Sequence, residues 1–391
     1  MWIDRKTKNA IVEACGARPA ILLTGARQTG KSSLLQKMFP DAAYVTLDHV
    51  PSADEAEANP DRFLNRFSGS VILDEVQYAP SLFRELKIRI DKNRSAHGRW
   101  ILTGSQRFSL MKEVGESLAG RISVLQLETL SAQELRNCGR FSKKAVESCL
   151  WKGGYPELWA NQKLTAQMFY EAYIQTYLEK DLRAILNVSN IRDFRRFIQI
   201  CAARVGQLLN YADLSKDSGV SAPTIKSWIS VLEASGIINL LPPFFANIGK
   251  RLVKAPKLYF SDTGLLSHLL NITDADAYTR SSYKGSIWEN FVFTELVKTL
   301  PVIPGRTLFF YRDQNHVEID FVVELGGNLC LIEAKAAERV DSRKLNFSKV
   351  APLFPKQTVS CVLMNMLQEK EPVHLDGYDS LNPLHHTISL K

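Results

Sequence analysis

Ile21-Leu22-Leu23-Thr24-Gly25-Ala26-Arg27-Gln28-Thr29-Gly30-Lys31-Ser32 is a short apolar run that breaks into a G-x-x-x-x-G-K-S loop. Helix formers follow, Ser33-Leu34-Leu35-Gln36-Lys37-Met38-Phe39, and Pro40 stops them. Strand, glycine-containing loop and helix, in that order, are the context in which this spacing holds phosphate. Gly25 and Gly30 let the backbone curl so that its N–H groups face phosphate oxygens, and the helix N-terminus adds positive potential. The predicted nucleotide cradle is therefore Gly25, Ala26, Arg27, Gln28, Thr29, Gly30, Lys31, Ser32 and Ser33. Within it Lys31 reaches the β- and γ-phosphates, and Ser32 places its hydroxyl on Mg²⁺.

Such a loop needs an acidic partner at the end of a neighbouring buried strand, and Ser70-Val71-Ile72-Leu73-Asp74-Glu75 supplies one. Asp74 is expected to hold Mg²⁺, through water or Ser32, and Glu75 to polarise the attacking water. Phe83, Leu86 and Ile90 then share one face of a helix. Arg99-Trp100-Ile101-Leu102-Thr103-Gly104-Ser105 reads as a further buried strand whose polar end faces the ligand. Thr103 and Ser105 are candidates to touch the γ-phosphate or the water, and Ser105 serves equally well as the cap of a following helix. Arg121, before an apolar strand at Ile122 to Leu127, is either an arginine offered to a neighbouring subunit's γ-phosphate or a surface arginine without a role.

These strands with helices between them describe an α/β sheet of the P-loop type. The runs Leu22 to Ser33, Leu73-Asp74-Glu75-Val76-Gln77 and Leu102-Thr103-Gly104-Ser105 resemble the AAA-type ATPases of prokaryotes. Their usual C-terminal partner is domain of unknown function 4143. The resemblance implies ATP and Mg²⁺ as cofactors. If Arg121 acts in trans, it also implies a homo-oligomer such as a ring.

Past the turn Gly153-Gly154-Tyr155-Pro156, residues Tyr170, Ile174, Leu178, Leu182 and Ile185 form an amphipathic helical stripe. The string Tyr173 to Leu182 is similar to a signature of the same family. Residues 190–262 have the order of a winged helix-turn-helix. Ser221 caps its third helix, in which Ile225, Ile229 and Leu232 face inward, leaving Thr224 and Lys226 outward to meet a groove of DNA. Ile237 to Phe245 and Leu258-Tyr259-Phe260 are the expected wing strands. From Ala234 to Ser261 there is no acid, only Lys250, Arg251, Lys254 and Lys257, which suits a phosphate backbone. A winged helix that binds protein through an incidentally basic hairpin fits the same residues.

Towards the C-terminus, the helix at Gly285 to Leu296 precedes an alternating strand, Val317 to Glu324. Gly326-Gly327-Asn328 turns it back into Leu329 to Lys335. With the turn near residue 327, Asp320 lies opposite Glu333, and Lys335 falls on the same face. Glu289 from the helix is a candidate to join them. Paired carboxylates suit Mg²⁺-assisted phosphodiester hydrolysis. The D-x(12)-E-x-K pattern resembles the restriction-endonuclease-like superfamily, although Ile319, not proline or an acid, precedes Asp320. A retained nuclease fold that only grips DNA, its charges closed in a cross-strand salt bridge, is the alternative. Beyond it, Ser342 to Val350 reads as helix and Thr358 to Met364 as strand.

The predicted fold is thus α/β. It comprises a P-loop AAA+ core with a parallel sheet (1–135), a helical lid (136–189), a winged helix (190–270) and a C-terminal α/β, nuclease-like domain (271–391). Its 391 residues, 45% apolar and 23% charged, are ordinary globular usage. A net charge of +8 favours an anionic partner, DNA first. The six cysteines are scattered with no C-x-x-C pair, which points away from zinc sites and disulfide frameworks. Together with the lack of a membrane-length apolar run or a signal-like start, this makes the cytoplasm the expected compartment. The expected activity is a DNA-remodelling or DNA-translocating ATPase, and the resemblance to AAA motors implies branched or forked DNA as a substrate. An ATP-gated switch for protein partners and an ATP-regulated nuclease are the alternatives.

Overall fold

The structure, a computed structural model, describes residues 1–105, 117–178, 191–244 and 255–390. The chain divides into two compact units. One comprises Asp4–Thr129 with Ala234–Gly236; the other comprises Met1–Ile3, Leu130–Glu233 and Ile237–Lys391.

The first unit is built on five strands: β1 (Ala20–Thr24), β2 (Ala43–Thr46), β3 (Val71–Asp74), β4 (Trp100–Thr103) and β5 (Ile122–Gln126). All pair in parallel, in the order β2-β3-β4-β1-β5. The continuous apolar runs of β1, β3 and β4 are buried along their whole length, as interior parallel strands must be when both faces are covered. The helix Ser81–Lys92 packs through Leu82, Phe83, Leu86 and Ile90. Because β4 lies between β1 and β3, the phosphate loop, Thr103 and the Asp74-Glu75 pair emerge side by side at one sheet edge.

In the second unit, the helix Ala166–Tyr173 runs into a π-helical turn, Ile174–Leu178, and buries Phe169, Tyr170 and Tyr173. Leu182 and Ile185 of the expected stripe lie outside the described residues. Three helices follow, Ile191–Ala203, Tyr211–Ser218 and Ala222–Ala234, then an antiparallel pair, β6 (Ile238–Leu241) and β7 (Lys257–Phe260). The Asn210 side chain caps the second helix, accepting from the Ala212 and Asp213 N–H groups. Gly219 closes that helix in the left-handed conformation. Ile225, Trp228, Ile229 and Leu232 form the buried face of the third.

The rest is a six-stranded mixed sheet: β8 (Leu308–Arg312), β9 (Glu318–Leu325), β10 (Asn328–Lys335), β11 (Val359–Asn365), β12 (Val373–Leu375) and β13 (Tyr378–Leu381). Its order is β12-β13-β11-β10-β9-β8. The helix Lys284–Thr299 packs on it, and its Trp288 indole donates to the Met364 carbonyl at 2.9 Å. Gly326 and Gly327, both at positive φ, make the two-residue turn between β9 and β10. The expected helix over Ser342 to Val350 is instead two short turns, Ser342–Lys344 and Phe347–Val350. Asn346 interrupts it, because its N–H is bonded to Glu333 and its side-chain amide to the Glu318 carbonyl.

Candidate active site at the strand ends

Gly25 leaves β1 at φ 145°, a conformation closed to other residues, and a Cβ there would sit 2.3 Å from the Leu127 carbonyl oxygen. Gln28 and Gly30 also have positive φ, and the helix Lys31–Met38 starts directly after the loop. The Lys31 ammonium, 5% exposed, donates to the Gly25 carbonyl at 3.1 Å and the Ala26 carbonyl at 3.0 Å. Burial pulls its pKa down, and the charges of Glu75 and Asp74 oppose that pull. Arg27, Gln28, Gly30, Lys31, Ser32, Ser33, Asp48 and Glu75 line a cleft of about 270 Å³.

Asp74, at the end of β3, is gripped by three hydroxyls. Ser32 Oγ donates to Oδ2 at 2.8 Å, Tyr44 to Oδ2 at 2.7 Å, and Thr103 to Oδ1. Tyr44 is brought there by register: Thr46 faces Asp74 across β2 and β3, and Tyr44 lies two residues back on the same face. Burial, then the bond to Asp74, pushes the Tyr44 phenol up to about 12. Glu75 is held in the left-handed region at φ 55°, ψ 50°, a conformation that costs a non-glycine residue roughly 1–2 kcal/mol. Its carboxylate accepts from the Ser105 N–H at 3.1 Å, from Ser105 Oγ at 3.0 Å and from the Gln77 amide. The strained backbone is held in place by Ser105, just past the end of β4, and by Gln77 two residues along. Asp48 at the cleft wall has its pKa raised by burial and by the neighbouring Glu75 and Asp74 charges.

The cradle residues Gly25 to Ser33 and the residues Asp74, Glu75, Thr103 and Ser105 thus stand together around one cleft. Tyr44, Asp48 and Arg5 were not legible as part of it. Arg5 donates to the Thr29 carbonyl at 2.9 Å and to the Glu128 carbonyl. The donor set of Ser32 and Asp74 is hard oxygen, which fits Mg²⁺, and the loop with Lys31 fits a polyphosphate.

Arg121 lies elsewhere on the first unit and forms a bidentate pair with Asp91 at 2.9 and 2.8 Å. On the helix Ala222–Ala234, Lys226 is exposed, while Thr224 is half-buried and bonded to Ser221 at 2.8 Å. Lys250, Arg251 and Lys254 lie outside the described residues. Lys257 corrects its expected role: it is 2% exposed and its ammonium is 2.9 Å from Glu289 and 2.6 Å from Glu318, so no phosphate backbone reaches it. Charge in a sequence does not say which way a strand turns its side chains.

At the C-terminal sheet, Phe321 pairs with Ile332, so Asp320 and Glu333 are the next facing pair. Lys335 Nζ joins them, 3.2 Å from Asp320 and 2.9 Å from Glu333. Glu289 does not complete this triad as a fourth ligand-like group; it is bonded to Lys257 and, at 2.6 Å, to the Tyr259 hydroxyl. Among the described residues, no three His, Cys, Asp or Glu side chains group as a metal site, and no helix is long and apolar enough to cross a membrane.

Residues 17–136 match an AAA domain, residues 143–276 a domain of unknown function (DUF8612), and residues 284–376 a second one (DUF4143). Among solved structures, a Walker-type ATPase of Pyrococcus abyssi is similar with a TM-score of 0.46 and 16% identity, over 69% of this chain and 96% of that one. The Holliday junction branch migration motor RuvB of Thermotoga maritima follows with a TM-score of 0.31 and 16% identity, over 61% and 90%. Uncharacterized proteins of Mycobacterium tuberculosis and Mycobacterium bovis are each 32% identical over 330 residues, covering 84% of this chain and 73% of theirs. The chain therefore belongs to the family represented by these two mycobacterial proteins, and carries an AAA domain followed by two domains of unknown function.

Proposed function

We propose that the protein is a Mg²⁺-dependent ATPase of the AAA type whose turnover is coupled to DNA. The observation that carries the first half is the meeting of Lys31, Ser32, Asp74, Glu75, Thr103 and Ser105 at the ends of three adjacent parallel strands. In this reading the loop amides and Lys31 bind the phosphates. Ser32 and Asp74 are the groups that hold Mg²⁺, whose chemistry is to neutralise charge between the β- and γ-phosphates. Glu75, locked by Ser105 and Gln77, orients the attacking water and accepts its proton, a role worth about 10²–10⁴-fold in rate. Arg121 serves a neighbouring subunit only by leaving Asp91, so oligomerisation and exchange of that ion pair go together.

For the second half, we read residues 136–189 as a helical lid, 190–270 as a winged helix and 271–391 as a restriction-endonuclease-like domain. The exposed Lys226 near the start of the helix Ala222–Ala234, and the basic segment before β7 in the sequence, support DNA as the partner. One observation favours the second reading, an ATP-gated switch for protein partners: Lys257 is withdrawn from the expected basic wing.

The test is ATP hydrolysis by the purified protein. Lys31→Ala should abolish nucleotide binding or turnover, and Glu75→Gln should retain ATP while losing turnover. Undiminished hydrolysis in both variants would refute the site. Single-stranded, duplex, forked and four-way DNA should raise the wild-type rate. Indifference to all four would shift the reading to the protein-partner switch.

A further inference from the structure

The acidic cluster of the C-terminal domain resembles a place for a divalent cation, yet its cation positions are filled from within. Its acids form two lysine-bridged pairs: Glu289 on the helix Lys284–Thr299 with Glu318 on β9, and Asp320 on β9 with Glu333 on β10. Lys335 bridges Asp320 and Glu333, and Arg312 bonds Glu318 at 3.1 Å. The remaining bridge comes from outside the DUF4143 segment. Lys257, in the segment matched to DUF8612, spans Glu289 and Glu318.

Lys257 cannot easily leave. β7 is docked on the helix by Asn290, whose side chain accepts from the Phe260 N–H at 2.7 Å and donates to the Phe260 carbonyl at 3.1 Å. Tyr259, on the same face of β7 as Lys257, bonds Glu289 and stacks on Phe293 with ring centroids 4.5 Å apart. Gly206, whose N–H donates to the Leu258 carbonyl, has space for no more than the Glu289 carboxylate beside it: a Cβ there would lie 3.3 Å from both oxygens. The ammonium holds its acids at hydrogen-bond distances, whereas Mg²⁺ would need oxygens at about 2.0–2.1 Å and tolerates little departure from an octahedron. A buried ammonium is costly unless paired, and each carboxylate left without it would be costly too, so cation and acids enforce each other.

We propose that Lys257 is the resident counter-ion of this cluster: with Lys335 it replaces the divalent metal that a nuclease-like site would take, and turns the cluster into a metal-independent ionic lock between β7 and the DUF4143 domain. The acids thereby fasten the two domains of unknown function to each other and do not carry a hydrolytic metal. The inference is independent of the ATPase reading, since it concerns no residue of the nucleotide cleft.

The experiment uses the full chain without nucleotide. Mn²⁺ binding, followed by electron paramagnetic resonance and by thermal unfolding with and without millimolar Mn²⁺, should show no occupancy at the cluster in the wild type. Stoichiometric Mn²⁺ uptake that Asp320→Asn or Glu289→Gln abolishes would overturn the proposal. Lys257→Met should lower the unfolding midpoint by several degrees or prevent folding, and adding Glu289→Gln to it should restore part of the loss, because the buried charge is then removed with its partner. A Lys257→Met protein as stable as the wild type would overturn the lock. Should both variants fail to fold, the wild-type Mn²⁺ measurement still decides.

Discussion

Gly25 shows how much a single missing side chain decides. Its φ of 145° and the Leu127 carbonyl 2.3 Å from a would-be Cβ leave no arrangement for another residue. Gly25→Ala should strain the backbone by about 1–3 kcal/mol and cut nucleotide affinity by at least tenfold, read by calorimetric titration; wild-type affinity would show that the loop is softer than its geometry implies. Glu295 is a second residue with a measurable signature. It is fully enclosed, accepts the Ala132 N–H with both oxygens at 3.2 and 3.1 Å, and burial lifts its pKa from 4.5 to about 7 against the pull of Lys298 and Arg136. The native state therefore holds a proton that the unfolded chain has released, and stability falls as pH rises from the unfolded value to the folded one. Glu295→Gln should remove a pH-dependent contribution of roughly 3 kcal/mol between pH 4.5 and 7, visible as a flatter denaturation profile; an unchanged slope would sink the assignment. Of the nucleotide site, the loop, Asp74, Glu75, Thr103 and Ser105 were legible because their chemistry is written in consecutive residues. Tyr44, Asp48 and Arg5 were not, because each arrives through strand register or a distant turn.

At the level of elements, β1, β3, β4 and β5 announce themselves as apolar runs, while β2 does not. Ala43-Tyr44-Val45-Thr46 is an edge strand, partly exposed, without the uniform hydrophobicity of an interior one. The helix Ala222–Ala234 was readable from its spacing, and its buried stripe includes Trp228, which packs edge-on against Phe194 and Phe197 at 5.3 and 5.2 Å between ring centroids. Trp228→Ala should cost about 3–5 kcal/mol, measured by denaturant titration, whereas Lys226→Ala, on the exposed side, should leave stability within about 0.5 kcal/mol. Comparable losses from both would mean that the helix is packed on all sides and has no face for a partner. The basic stretch before β7 was read as one surface, but Lys257 does not belong to a surface: alternation turns it inward, where the helix Lys284–Thr299 and β9 supply its acids. No pattern local to residues 250–257 could have signalled that, since Glu289 and Glu318 lie far along the chain.

For the molecule as a whole, two compact units imply two cooperative transitions on heating, because each has its own core. A ligand that binds only one native unit stabilises it by mass action, about 2.7 kcal/mol at a hundredfold excess over its dissociation constant. Mg²⁺-ATP should therefore raise the transition of the unit Asp4–Thr129 and leave the other in place. A uniform shift of both transitions would show that the units unfold as one. The division into three C-terminal domains was a reading of sequence segments. The structure gathers those segments into one unit with a shared core running from Ile3 to Ile388, which hydrophobic periodicity alone cannot foresee.

Arg5 carries one more implication. Its guanidinium, 8% exposed, ties the Thr29 carbonyl to the Glu128 carbonyl. It thereby staples the floor of the anion pocket to the peptide that departs from the last strand of the sheet. A displacement of the loop at Thr29 therefore pulls, through a single guanidinium, on the peptide at Glu128, two residues before the chain leaves the first unit and enters the second at Leu130.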